Sequence, residues 1–94
     1  MINVLLLAST LEKVGPTKQL FYIIKYLNKS FFNPYILTLF PETENSMKDE
    51  FESLGFKVDS LNLSRKISFL FGQKLLDKYI KDNNIDTVHS NFIR

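Results

Sequence analysis

The chain opens with an unbroken apolar run, Ile2 to Ala8 (INVLLLA), followed by small polar residues. A run of that length without alternation is the mark of a strand covered on both faces, as in a parallel sheet. After the loop Ser9 to Gly15, Pro16 suits a first helical turn, where its missing N–H leaves no bond unmade. Leu20, Ile23, Ile24 and Leu27 then recur at i, i+3, i+4 and i+7, which predicts an amphipathic helix ending near Asn28 to Ser30. Pro34 precedes a second β-rich run, Tyr35 to Phe40, closed by Pro41. Ser46 with Asp49 resembles a capping box with a shortened acid. Met47, Phe51 and Leu54 supply the stripe of a short helix, with Gly55 as its C′ residue.

Phe56 to Leu63 reads as a third strand with a polar edge, its apolar members being Phe56, Val58, Leu61 and Leu63. Helical spacing returns from Ile67 to Lys81, with Leu75, Leu76, Tyr79 and Ile80 on one face, and Asn83 and Asn84 end it. Ile85 to His89 starts a fourth strand. The order β-α-β-α-β-α-β, with short connections and right-handed crossovers, predicts an α/β fold: an open parallel sheet with helices on both faces, half of a doubly wound domain. Ligands of such sheets lie beyond the carboxyl ends of the strands, so the loops after Ala8, Phe40, Leu63 and His89 form the candidate functional edge.

Composition narrows the classes that remain. Ninety-four residues at 45% hydrophobic content support one domain with one core. Twelve basic against ten acidic residues leave a net charge of +2, spread along the chain, which gives no reason to expect nucleic acid. Lys13, Lys18 and Lys25, and separately Arg65 with Lys66, offer a local anion or headgroup contact, though a solvated basic face accounts for them as well. Cysteine is absent, which removes disulfides, thiolate metal sites and cysteine nucleophiles. The N-terminal apolar run lacks a basic region before it and is too short to span a bilayer, so a cytoplasmic location is expected.

The first loop is the most informative stretch for chemistry. A strand-loop-helix unit aims backbone N–H groups and the positive end of the helix dipole above the sheet, an arrangement suited to a phosphate or a sugar hydroxyl. Gly15 stands alone where a dinucleotide fingerprint would have three glycines, and no phosphate-loop lysine motif follows. His89, the one histidine, is placed by this reading at the end of the fourth strand, followed by Ser90 and Asn91. A metal site is not expected without further ligands. Glu42 and Glu44 could meet a hydroxylated ligand, but a solvated acidic loop beside Pro41 is the favoured reading. Phe31, Phe32 and the group Phe69, Leu70, Phe71 are less easily buried; a membrane surface, a lipid-linked acceptor or a further part of the protein could cover them, and the last is the favoured reading.

Taken in order, Ile2 to Ala8, Gly15-Pro16-Thr17-Lys18-Gln19-Leu20, Ile36-Leu37-Thr38-Leu39 with Pro41-Glu42, Leu63-Ser64-Arg65 and Ile85-Asp86-Thr87-Val88-His89-Ser90 resemble the N-terminal domain of family 4 glycosyltransferases. The closing VHSNFIR is similar to that family's VHSHGIR. The resemblance implies a retaining enzyme of the GT-B type, in which two Rossmann-like domains face each other across a cleft. This chain would be the N-terminal portion, receiving a glycan or lipid-linked acceptor. A C-terminal domain would hold most of a nucleotide-sugar donor. By position, Val14, Gly15, Pro16, Thr17 and Lys18 would border the donor diphosphate and the acceptor, with His89, Ser90, Asn91 and Arg94 along the acceptor side. No metal or other cofactor is implied, because amides and basic side chains neutralise the leaving diphosphate. Peripheral membrane association during cell-surface polysaccharide assembly is a further expectation.

Two departures stand out: Val14 occupies the place of a second glycine, and Asn91 that of a second histidine. The family's E-x7-E donor element belongs to the C-terminal domain, so no catalytic residue is assigned and the chain alone is expected to be inactive. Two other readings share the architecture: a small flavodoxin-like module that binds a partner without catalysis, and half of a sugar-nucleotide epimerase.

Overall fold

The computed structural model describes residues 1–64 and 69–91. Seven elements follow one another: β1 (Ile2–Ala8), α1 (Gly15–Lys25), β2 (Phe32–Thr38), α2 (Lys48–Ser53), β3 (Val58–Ser60), α3 (Phe69–Asp82) and β4 (Thr87–Asn91). The four strands form one sheet in the order β3-β2-β1-β4, every pairing parallel. This is a Rossmann-like open sheet, with α1 and α2 on one face and α3 on the other.

Successive side chains of a strand point to opposite faces, and β1 separates the two halves of the core accordingly. Leu6 and Ala8 join Leu11, Leu20, Ile24, Ile36, Met47, Phe51 and Val58 beneath α1 and α2. Leu5 and Leu7 join Leu37 beneath α3, with Leu76, Tyr79, Ile80 and Ile85 packed against them. Burying both faces explains why β1 reads as a solid apolar run. Phe51, fully buried, meets Phe21 edge-on at 5.4 Å and fastens α2 to α1.

Local chemistry moves several boundaries from those the sequence suggests. β2 starts at Phe32 and contains Pro34, opposite Val4 of β1. Because β3 pairs only with Ile36–Thr38, Pro34 lies where β2 has no second neighbour, and its missing N–H can face that unpaired side. Regular pairing stops at Thr38, yet Leu39 and Phe40 still donate to the carbonyls of Ala8 and Ser9. β3 is shortened to three residues because Asn62 takes a left-handed conformation (φ 50°) and donates its N–H to the Ser60 hydroxyl. Gly55 does close α2 with φ 94°, the conformation expected of a C′ glycine. The Ser46–Asp49 capping box does not form: Met47 is the N-cap, and the Ser46 hydroxyl accepts the N–H of Lys48 instead.

On α1 the buried stripe is Thr17, Leu20 and Ile24, whereas Ile23 is 48% exposed. Ile23 sits about 100° around the helix from Ile24, on its shoulder, where the sheet does not cover it. β4 runs from Thr87 rather than Ile85, because Ile85 closes α3 by donating to Ile80 and Asp86 clamps the base of β1. That clamp is reciprocal: the Asp86 N–H donates to the Asn3 carbonyl and the Asn3 N–H to the Asp86 carboxylate, each at 2.8 Å. Asn3 further donates its side-chain amide to the Asn84 carbonyl.

Candidate functional site

The carboxyl ends of β1 and β2 turn away from the sheet together, and the loops that leave them are bound to each other. The Glu42 carboxylate accepts the Leu11 N–H, with both oxygens at 3.1 Å, and the Ser46 hydroxyl at 2.7 Å. Around it the Met47 N–H donates to the Leu11 carbonyl (2.7 Å) and the Lys13 N–H to the Asn45 carbonyl (2.8 Å), and Glu12 and Ser46 form an antiparallel bridge. Leu11 is fully buried beneath α1 and α2. The first loop is therefore a braced platform. Glu42 is its brace, not part of a solvated acidic loop; Glu44 is exposed.

The platform delivers the chain to α1 in a definite way. Val14 is the N-cap, extended at φ −132° and ψ 172°, and its carbonyl accepts the Lys18 N–H at 3.0 Å. No side chain caps the helix and its first turn has no acid, which leaves the positive end of the helix dipole uncompensated locally. An ideal Cβ on Gly15 would meet nothing within 4 Å. The space above the first turn is open, and nothing in the fold itself requires glycine there. A shallow hollow of about 240 Å³ opens beside this turn, lined by Lys13, Lys18, Phe21, Tyr22, Met47 and Glu50. Its two ammonium groups outnumber the single carboxylate of Glu50, and with the aromatic walls they suit an anionic, partly apolar ligand.

The residues singled out in the sequence are only partly brought together. Val14 and Pro16 are half-buried, and Gly15 and Lys18 are exposed at the start of α1. Thr17, expected to meet substrate, is withdrawn into the core at 2% exposure. It falls on the inward face of α1, three and seven residues before Leu20 and Ile24. His89 is not at a strand end. It pairs with Leu6 in the body of β4, two residues or roughly 7 Å short of the level reached by Ala8 and Asn91. His89 follows Leu6 onto the face of α1, while Ser90 follows Leu7 onto the face of α3, so the two cannot line one surface. Asn91 ends β4 level with Ala8. Arg94 lies outside the described residues, as do Arg65 and Lys66.

Two features escaped the sequence. Glu42 was visible only as an acid beside a proline, because its partner is a backbone N–H 31 residues away. Tyr79 packs on the α3 side of the sheet and donates to the Asp59 carboxylate at 2.9 Å. Burial, then that bond, pushes the Tyr79 phenol above its ordinary range. Among the described residues no group of three His, Asp or Glu side chains could hold a metal ion, and no helix is long and apolar enough to cross a membrane. No protein family, curated protein or solved structure matches this chain.

Proposed function

We propose that this domain serves glycosyl transfer, as the acceptor-side part of a GT-B enzyme that moves a sugar from a nucleotide-sugar to a glycan or lipid-linked acceptor. The observation that carries the reading is the braced first loop at the carboxyl edge of the sheet. It leads into an uncapped helix beside Lys13 and Lys18. Such a site holds an anionic or hydroxylated ligand through backbone N–H groups and two ammonium groups, without needing a metal. The co-linear resemblance to family 4 glycosyltransferases gives the reaction class. In this reading a second domain holds the donor, and the residues here orient the acceptor beneath it.

Calorimetric titration with phosphorylated glycans and nucleotide-sugars tests this. Lys13→Gln with Lys18→Gln should weaken binding at least tenfold while leaving the thermal midpoint within about 2 °C, since both side chains are exposed. Binding that ignores both lysines would overturn the assignment, and enzymatic turnover of nucleotide-sugar by this domain alone would overturn the division of labour. A partner-binding module is the second reading. It is favoured by β4, an edge strand whose residues 87–90 are all exposed. That reading predicts no response to either ligand.

A further inference from the structure

The hollow beside the first turn of α1 is walled by α1 on one side and by the start of α2 on the other, and the core fixes both walls. Phe21 packs edge-on against the fully buried Phe51 at 5.4 Å and against Tyr22 at 5.8 Å, so the Tyr22 ring, though 57% exposed, is anchored through Phe21 to the core. Met47, the N-cap of α2, is buried and tied to the first loop by the bond from its N–H to the Leu11 carbonyl. The Lys13 backbone is tied in turn to the Asn45 carbonyl. This frame is set before any ligand arrives, which lowers the cost of binding one. Its charged groups are uncommitted: the side chains of Lys13, Lys18 and Glu50 form no ion pair or hydrogen bond among the described residues, whereas Lys57 and Lys78 do. Glu50 is half-buried and both lysines are exposed, so the lining holds one more positive than negative charge.

We infer that this hollow takes one sugar ring bearing a carboxylate, a hexuronate residue of the acceptor. The inference rests on the glycosyl-transfer reading and adds to it the class of sugar. A pyranose has an apolar face of C–H groups and a rim of hydroxyls. Phe21 and Tyr22 supply aromatic surface for the face, and the Glu50 carboxylate accepts from the hydroxyls. Lys13 and Lys18 pair with the ligand carboxylate. The volume of about 240 Å³ lies below the roughly 300 Å³ at which pockets for drug-sized molecules begin, and suits a single ring. Charge selects the acid. A monoanion leaves the hollow neutral, whereas a phosphate monoester, carrying about −1.5 to −2, leaves surplus negative charge against Glu50 and an apolar wall. A neutral sugar forgoes both ion pairs.

Titration of the whole chain with methyl glucuronoside, followed by the chemical shifts of Tyr22 and Glu50, tests the inference; the glycosyl-transfer reading needs neither residue. Methyl glucoside and glucose 6-phosphate are the comparisons. The glucuronoside is expected to shift both residues and to bind about tenfold tighter than the glucoside, as two exposed ion pairs allow. Tyr22→Ser should weaken binding of the glucuronoside and the glucoside alike. Glu50→Gln should narrow the gap between glucuronoside and 6-phosphate, read at Tyr22. Lys25→Gln, on α1 but outside the hollow, should change nothing, and thermal melts confirm that each variant is folded. Equal affinity for the glucoside, a 6-phosphate that moves Tyr22 and Glu50 as strongly as the glucuronoside does, a Tyr22→Ser protein that binds like the parent, or no shift with the glucuronoside would each overturn the inference. The glycosyl-transfer reading stands or falls separately, on whether phosphorylated glycans or nucleotide-sugars bind through Lys13 and Lys18.

Discussion

Removing the Glu42 carboxylate should loosen the first loop without disturbing the sheet. In Glu42→Ala the Leu11 N–H, buried beneath α1 and α2, loses its acceptor, and the Ser46 hydroxyl loses its own. Leaving a buried backbone donor unpaired costs about 1–3 kcal/mol, and loss of a charge-assisted bond places this case near the middle, about 2 kcal/mol. For a chain of this size that lowers the thermal midpoint by roughly 8–16 °C. Glu42→Gln keeps an acceptor oxygen within reach of the Leu11 N–H and should retain more than half of the stability. Urea titration gives the free energies, and amide exchange at Leu11 and Lys13 reports the loop. Exchange there should accelerate far more than at Leu6 or Ile36, in the body of the sheet. A Glu42→Ala protein as stable as the parent, or one that loosens uniformly, would refute the claim that this carboxylate braces the site.

Tyr79→Phe should cost about 1.5 kcal/mol, at the low end for a bond to a carboxylate because both groups are only part-buried. The raised phenol pKa adds a pH signature. An unfolded tyrosine ionises near pH 10, so the contribution is complete below that and is lost as pH rises above it. Alkaline urea melts should therefore show the parent's advantage over Tyr79→Phe shrinking above about pH 10. Gly55→Ala forces a Cβ into a φ of 94° and should destabilise by about 1–2 kcal/mol, although open space surrounds the position. Gly15→Ala should instead hold or raise stability by up to about 1 kcal/mol, since the residue is helical and unobstructed. If a ligand approaches the backbone closely there, the same change weakens its binding, which calorimetry would detect.

Periodicity carried the architecture because burial on two faces leaves a distinct trace: β1 reads as a solid run, and α3 as spaced apolar positions. The parallel sheet followed from that solid run together with the alternation of strands and helices. What periodicity could not carry were interactions between polar groups far apart in sequence. The Asn3–Asp86 clamp, which shifts β4 two residues along, spans 83 positions. Glu42 and Leu11 meet across two loops, and one of the partners is backbone. On α1 the chain buries a threonine and exposes an isoleucine, since position on the helix outranks side-chain polarity when the sheet covers only part of the width. The candidate loop was legible from the strand-to-helix junction and Gly15-Pro16. Its rigidity was not, and His89 drew attention to a strand end that the true register places two residues further on.

The most direct measurement is backbone chemical-shift mapping of the whole chain during titration with a phosphorylated glycan. Shifts are expected to concentrate at Thr10 to Lys18, with smaller ones at the carboxyl end of β4 and none at the Asn3–Asp86 base of the sheet. An absence of shifts at saturating ligand, or shifts centred on α3, would rule out an acceptor site at the first loop.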